Sequence, residues 1–328
     1  MLASPVLSPS SATAALPRDS AQERLIDGLR AQIDARLGVL VPVAHAQENR
    51  VAAAMRYGVL APGKRVRPLL MLLAARGFGV DPGDVLDAAC ALEMVHAASL
   101  FLDDMPCMDD AKLRRNQPTV HVAFGEDVAM LAAVALLASA WRITATAGGI
   151  PPLVRTDMVT VLSDAVGING LVTGQYLDLH ATGPARTTPQ IAQTNQQKTG
   201  ALFTAAFELA GLAAGANTQT RALMREAAEA LGQAFQLADD LADGEMEASV
   251  LGKDCQQDVG KATLVALVGP RAHGASWPGM CSAPRRCSPR PCPAMTRWRC
   301  SRARSSRRSG AERRRGAAKR SGSCPDDG

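Results

Sequence analysis

Two clusters of aspartates lie inside apolar, helix-patterned stretches of this chain: Asp103-Asp104-Met105-Pro106-Cys107-Met108-Asp109-Asp110, and Asp239-Asp240-Leu241-Ala242-Asp243. Any fold adopted by such a chain must accommodate them. Two carboxylates about 5 Å apart repel by roughly 3 kcal/mol at an effective dielectric near 20, so grouping them where the flanking residues favour burial usually needs a divalent cation. Carboxylate oxygens as the donor set favour Mg²⁺ over zinc, and carboxylate-bound Mg²⁺ usually takes phosphate oxygens as further ligands. The first expectation is therefore a site for a phosphate-bearing ligand.

The chain around the clusters reads as helix. Aromatic residues make up only 3% of its 328 residues, and Ala and Leu dominate, a mixture that favours helices over strands. Asp81-Pro82 signals the start of a long helix running to about Asp104, and Thr188-Pro189 marks another start. Pro68 suits the first turn of a helix through Leu69–Ala75, closed by Gly77 and Gly79. Further helical stretches are expected near 126–147, 153–181, 189–212, 219–247 and 256–268. No strand-like alternation competes, so the fold class is all-α. No uninterrupted apolar run of about 18 residues occurs, and no membrane span is expected.

Helical spacing places the acidic residues on defined faces. Leu92, His96, Ser99 and Asp103 follow 4-3-4 spacing and share one face, a polar stripe suited to a cavity wall. Pro106 should break the helix after Met105 and return Asp109 from a loop, so that Asp103 and Asp109 surround one cation site with Asp104 beside it. Gly232, Gln236, Asp240 and Asp243 share a second face, with Asp239 three residues beyond Gln236. A solvated acidic helix end would account for either cluster alone. Two such faces on separate helices are instead what closes a cavity from both sides in helical bundles.

Cations accompany both clusters. Arg114 and Arg115 follow the first, offering guanidinium forks suited to phosphate oxygens. Gly63-Lys64-Arg65-Val66-Arg67-Pro68 brings three more to a helix start, where backbone N–H groups also favour anions. Lys198-Thr199-Gly200, Lys253 and Lys261 add to the set. Together these describe a pocket for two diphosphates, one reached through metal and the other through direct cations.

At these residues the sequence resembles the trans-isoprenyl diphosphate synthases, and within them the bacterial geranylgeranyl diphosphate synthases of carotenoid pathways. The resemblance covers about residues 20–271 and rests on an ordered set of motifs: GKRVRP at 63–68, LDDMPCMDDAKLRRNQPT at 102–119, GQYLDL at 174–179, KTG at 198–200, GQAFQLADDLADG at 232–244 and GKDCQQDVGKATLV at 252–265. It implies a bundle of antiparallel helices around a deep central cavity, the isoprenoid synthase fold, in a cytoplasmic homodimer that condenses isopentenyl diphosphate with an allylic diphosphate. It further implies three Mg²⁺ ions per active site, held by Asp103, Asp104 and Asp109 on one side and by Asp239, Asp240 and Asp243 on the other. By the same resemblance Lys64, Arg67, His96 and Arg115 bind isopentenyl diphosphate, while Arg114, Lys198, Thr199, Gln236, Lys253 and Lys261 serve the allylic diphosphate. Shorter-product relatives carry bulky aromatics four or five residues before the first aspartate. Those positions are Ser99 and Ala98 here, and both being small implies a C20 product, with farnesyl diphosphate as the alternative. Asn116 departs from the glycine usual after the paired arginines, which puts the local turn in question.

The two ends read differently. Residues 1–19 form a Ser/Ala/Pro-rich leader without a basic n-region, expected to be disordered. From Arg271 to Gly328 there are 15 basic and 3 acidic residues, against 21 and 28 in residues 1–270. Five of the eight cysteines also fall in that tail; the remaining three are too few and scattered for a disulfide framework, as suits a reducing cytoplasm. Residues 272–328 lack apolar periodicity, and the last helices of the family are missing there. The expectation is an out-of-frame translation of a GC-rich gene, ahead of a disordered tail or a nucleic-acid-binding one, and no nucleic-acid partner is expected. A terpene cyclase would not need the Lys64/Arg67/Arg115 set, and non-catalytic regulatory subunits usually lose carboxylates from one cluster.

Overall fold

The computed structural model describes residues 20–43, 49–180 and 187–245, with side chains described as far as Asp239. Eleven α-helices occur among the described residues: α1 (Ser20–Leu40), α2 (Arg50–Val59), α3 (Val66–Gly77), α4 (Pro82–Asp103), α5 (Val120–Phe124), α6 (Glu126–Thr146), α7 (Pro152–Val166), α8 (Leu171–Leu179), α9 (Thr188–Asn195), α10 (Ala201–Ala213) and α11 (Thr218–Glu245). A single π-helical turn, Gln196–Gly200, joins α9 to α10. Two two-residue strands, β1 (Leu113–Arg114) and β2 (Gln117–Pro118), pair antiparallel between α4 and α5. Among the described residues the regular structure is thus helical, apart from this hairpin.

The core is built around α4. Asp81 caps it by accepting from the Gly83 N–H at 2.9 Å, and Pro82 occupies its first turn. Its buried residues fall on all sides, among them Val85, Ala89, Leu92, Met94, Val95 and Phe101, as expected of a helix surrounded by others. α6 and α3 pack most closely on α4, with α10, α1 and α2 completing the surround. Small residues such as Ala88, Ala91, Ala97 and Ala98, all buried, permit the close approach.

Several boundaries depart from the sequence expectation for identifiable reasons. The single helix expected over 153–181 is two, α7 and α8, because the chain turns at Gly167 and Gly170. An added Cβ on Gly170 would lie 2.1 Å from the Ala165 carbonyl oxygen, so only glycine fits there. The stretch near 189–212 is broken by the π turn, and the cap of α9 is Thr187 rather than Thr188, with Gln190 Oε1 accepting from the Thr187 N–H at 2.9 Å. The segments 256–268, 1–19 and 272–328, with Lys253, Lys261 and the leader and tail expectations, lie outside the described residues.

α4 and α6 are long and apolar enough, by length and composition, to cross a membrane. Neither contains an uninterrupted apolar run of about 18 residues, so the expectation of no span does not register them. In the fold α4 is enclosed by its neighbours, whereas α6 leaves Met130, Leu131 and Val134 exposed.

Candidate active site

The cavity lies where α4, α6, α7, α8, the π turn and α11 meet the loop before α3 and the β1–β2 hairpin. It measures about 730 Å³ and is lined by both polar and apolar side chains. The polar part brings together Lys64, Arg67, His96, Asp103, Asp109, Arg114, Arg115, Lys198, Thr199, Gln236 and Asp239. The apolar part includes Leu100, Leu137, Val166, Leu171 and Val172. A cavity lined by both charged and apolar side chains suits a ligand with a diphosphate head and a hydrocarbon tail.

At the first acidic wall, α4 breaks two residues before the position expected from Pro106, after Asp103 rather than Met105, while the loop does return Asp109. The helix ends at Asp103, and the Asp109 N–H donates to the Asp103 carbonyl at 2.9 Å, which fixes the return of the loop. Asp103 and Asp109 both line the cavity. Asp104 does not: it is buried, and Arg114 closes on it with hydrogen bonds of 2.6, 2.8 and 2.9 Å. The arrangement expected from spacing, with Asp104 beside the cation site, is replaced by a buried ion pair tying the end of α4 to β1. Burial pushes the Asp104 carboxyl above its ordinary range despite that partner.

Lys198 stands between acidic groups. Its Nζ lies 2.7 Å from Asp178 Oδ2 and 3.5 Å from Asp103 Oδ1, and Gln175 also donates to Asp103. Burial lowers the Lys198 ammonium, but the two carboxylates more than offset it and hold its pKa above the ordinary value. The π turn carries Lys198 and Thr199 toward the cavity, a common use of such turns at functional sites. Gly174 and Gly232 make that turn possible: a Cβ on Gly174 would lie 2.3 Å from the Lys198 backbone nitrogen, and one on Gly232 would lie 3.1 Å from the Gly200 Cα. α11 therefore lies close against the turn, and Thr199 Oγ1 donates to Gln236 Oε1 at 2.6 Å. One turn further, Asp239 reaches the cavity from the second cluster. The side chains of Asp240 and Asp243 lie outside the described residues.

The basic motif before α3 divides. Arg65, at a left-handed backbone position (φ 49°), turns inward to Glu93, whereas Lys64 and Arg67 line the cavity. Arg67 Nη1 approaches His96 Nε2 at 3.1 Å, and its guanidinium sits 5.0 Å above the Phe203 ring. A guanidinium only donates, so His96 Nε2 accepts and its proton resides on Nδ1. Burial, then the neighbouring Arg67 and Arg115, push the His96 imidazole well below its ordinary value. Arg67 falls to about 10 through burial and then Arg115, against the pull of Glu93 and Asp239. Arg115 is lowered as well, first by burial. An anion placed among Lys64, Arg67 and Arg115 would relieve both arginine shifts.

The turn that delivers the paired arginines is a two-residue hairpin with Arg115 at φ 55° and Asn116 at φ 61°. Asparagine tolerates the left-handed region better than other side-chain-bearing residues, so the departure from glycine keeps the type I′ turn. Arg115 in the same region carries the strain of a bulky residue held there, as is found at ligand-binding positions.

The polyprenyl synthetase family profile matches residues 48–274. The chain belongs to this family. A geranylgeranyl diphosphate synthase from Pantoea ananas is 51% identical over 259 residues, 78% of this chain and 83% of that protein. A second, from Pseudescherichia vulneris, is 49% identical over 252 residues, 76% of this chain and 80% of that protein. Among solved structures, a Helicobacter pylori geranyltransferase complexed with magnesium and isoprenyl diphosphate superposes with a TM-score of 0.71 at 25% identity, covering 79% of this chain and 88% of that one.

The two positions expected to set product length part company. Ser99 lines the cavity, while Ala98 is fully buried in the core and does not. Gln175, Tyr176 and Asp178 are site residues that spacing did not single out, although the GQYLDL motif contains them. Among the described residues, no three His, Cys, Asp or Glu side chains converge as a ready-made metal centre. Asp103, Asp109 and Asp239 instead face one cavity singly. That donor set fits Mg²⁺, which is commonly held by one or two carboxylates with substrate phosphates completing its octahedron.

Proposed function

We propose that this chain is a Mg²⁺-dependent prenyltransferase that condenses isopentenyl diphosphate with an allylic diphosphate to give geranylgeranyl diphosphate, for isoprenoid and carotenoid synthesis. The observation that carries the reading is the cavity itself: Asp103 and Asp239, far apart in the chain, line it together with Lys64, Arg67, Arg114, Arg115, Lys198 and a set of apolar side chains. The two geranylgeranyl diphosphate synthase relatives, near 50% identity over most of their lengths, support the C20 product.

In this reading Asp103, Asp109 and Asp239 would hold Mg²⁺, three ions in all with Asp240 and Asp243 by family resemblance, while Asp104, which the resemblance also assigns, is engaged by Arg114. Bound magnesium supplies Lewis-acid neutralisation of the departing diphosphate. Lys198 and Arg114 bind the allylic diphosphate directly, with Lys253 and Lys261 assigned to it by the motif match. When the allylic C–O bond breaks, its electron pair leaves with the diphosphate and the carbon skeleton becomes an allylic cation. Thr199 and Gln236, locked together by their hydrogen bond, present oxygen lone pairs at the cavity wall. Lys64, Arg67, His96 and Arg115 hold isopentenyl diphosphate so that its double bond meets the cation, and positioning supplies much of the rate. A carbon–carbon bond forms, and the proton then lost from the new chain passes to the diphosphate. Leu100, Leu137, Val166 and Leu171 keep water from the cation and hold the growing chain.

The exposed Met130, Leu131 and Val134 on α6, with Val122 on α5, supply an apolar face for a homodimer, and the scarcity of cysteine in the body suits the cytoplasm. The out-of-frame reading of the tail is supported by the family match ending at residue 274, near the change in composition; resequencing the gene tests it. For the activity, purified protein is incubated with labelled isopentenyl diphosphate, each allylic starter and Mg²⁺. Geranylgeranyl diphosphate that disappears with chelator is the expected result; no consumption of isopentenyl diphosphate overturns the reading.

A further inference from the structure

Arg65 and Glu93 take no part in the chemistry above, yet they form a buried polar cluster immediately behind it. Arg65 is 4% exposed and Glu93 is 2% exposed. The Arg65 guanidinium uses three of its faces at once: Nη1 donates to Glu93 Oε1 at 2.9 Å, Nε to Asp34 Oδ1 at 2.8 Å, and Nη2 to the Ala61 carbonyl at 2.9 Å. It therefore ties α1, α4 and the loop before α3 together at one point.

Two further observations connect this cluster to the cavity. The Ala61 carbonyl that Arg65 holds is also within 3.5 Å of Arg115 Nη1, and Gly63 in the same loop lies so close to the Arg115 guanidinium that a Cβ there would sit 3.0 Å from it. The loop thus forms the surface against which Arg115 rests, and Arg65 holds the loop. Glu93 lies one helical turn before His96 on α4, and its charge is the largest favourable influence on both Arg67 and Arg115. A counter-charge bonded to Arg65 offsets the mutual repulsion of the cavity cations without occupying their donors.

We infer that the Asp34–Arg65–Glu93 cluster is a positioning device for the direct-cation half of the cavity: it sets the placement of Lys64, Arg67 and Arg115, and through them the affinity for the diphosphate held without metal. The inference rests on the reading that isopentenyl diphosphate occupies that half. The cluster's hydrogen bonds run to Asp34, Glu93 and the Ala61 carbonyl and not to Asp103, Lys198 or Asp239, so its main effect is expected on the substrate held by direct cations.

The test compares wild type with Glu93→Gln and Asp34→Asn, using separate KM values for isopentenyl diphosphate and for farnesyl diphosphate. A parallel measurement follows the slow hydrolysis of farnesyl diphosphate alone, which does not need the second substrate. Loss of one charge-assisted hydrogen bond predicts a rise of about tenfold in the isopentenyl diphosphate KM for Glu93→Gln, and about threefold for the half-exposed Asp34 partner. The farnesyl diphosphate KM and its hydrolysis rate stay within about twofold, since no bond to that ligand changes. A purely structural role would lower the melting temperature and shift both KM values together, or neither; either pattern overturns the inference. If Glu93→Gln does not fold, Asp34→Asn decides alone by the same split. An inactive wild type would instead sink the prenyltransferase reading itself.

Discussion

Arg114 holds Asp104 in a buried ion pair of three hydrogen bonds, while Asp103, its neighbour in sequence, faces the cavity. Adjacent residues at a helix end point about 100° apart, so one of a pair of aspartates can serve the site while the other anchors the hairpin that closes it. Asp104→Ala should leave the Arg114 guanidinium without its partner and lower the unfolding free energy by about 2–3 kcal/mol, measured by urea titration. Asp103→Ala has the converse signature: activity falls by about a hundredfold or more, and the urea midpoint moves less than in Asp104→Ala. Equal stability losses in the two variants would refute the division of roles.

Product length should follow Ser99 rather than Ala98. Ser99 lines the cavity, so Ser99→Phe fills space the growing chain would use and shifts the product from C20 toward C15 on chromatography. Ala98 is fully buried among core residues, and Ala98→Tyr overpacks that core at a cost of about 1–3 kcal/mol. An unchanged product from Ser99→Phe would show that the chain runs elsewhere.

Much of this was legible in the sequence, for a physical reason. The 3.6-residue period alone places His96, Ser99 and Asp103 on one face, and Pro106 alone predicts the return of Asp109. What the period cannot reveal is a partner that arrives from another element. Asp104 reads as one more ligand until the hairpin brings Arg114 onto it. Arg65 and Arg67 read as equivalent cations until the left-handed position at Arg65 turns one inward. The motif marks Lys198, but its partner Asp178, and Gln175, which donates to the neighbouring Asp103, reach it only because Gly174 lets α8 approach the π turn. The hairpin leaves no trace in the sequence pattern because two-residue strands show no alternation.

His96 predicts a pH dependence of stability. Its folded pKa lies well below the ordinary value of about 6.5. As pH falls below about 6.5, the unfolded chain takes up a proton that the folded chain refuses, so this contribution to stability is present above that pH and is lost below it. The slope is at most about 1.4 kcal/mol per pH unit until the folded pKa is reached. Urea titrations at pH 7.5 and 5.5 should show wild type losing more stability than His96→Gln over that interval. Equal losses would mean that His96 titrates as it does in water.

The central claim is that Asp103 and Asp239 act on one magnesium-diphosphate group from separate helices. Its most direct test is the affinity of a non-hydrolysable farnesyl diphosphate analogue, measured by calorimetry with and without Mg²⁺ in wild type, Asp103→Asn and Asp239→Asn. Mg²⁺ should tighten binding by about tenfold or more in wild type, and either substitution should remove most of that gain. Full retention of the Mg²⁺-dependent gain in Asp239→Asn would contradict a shared site.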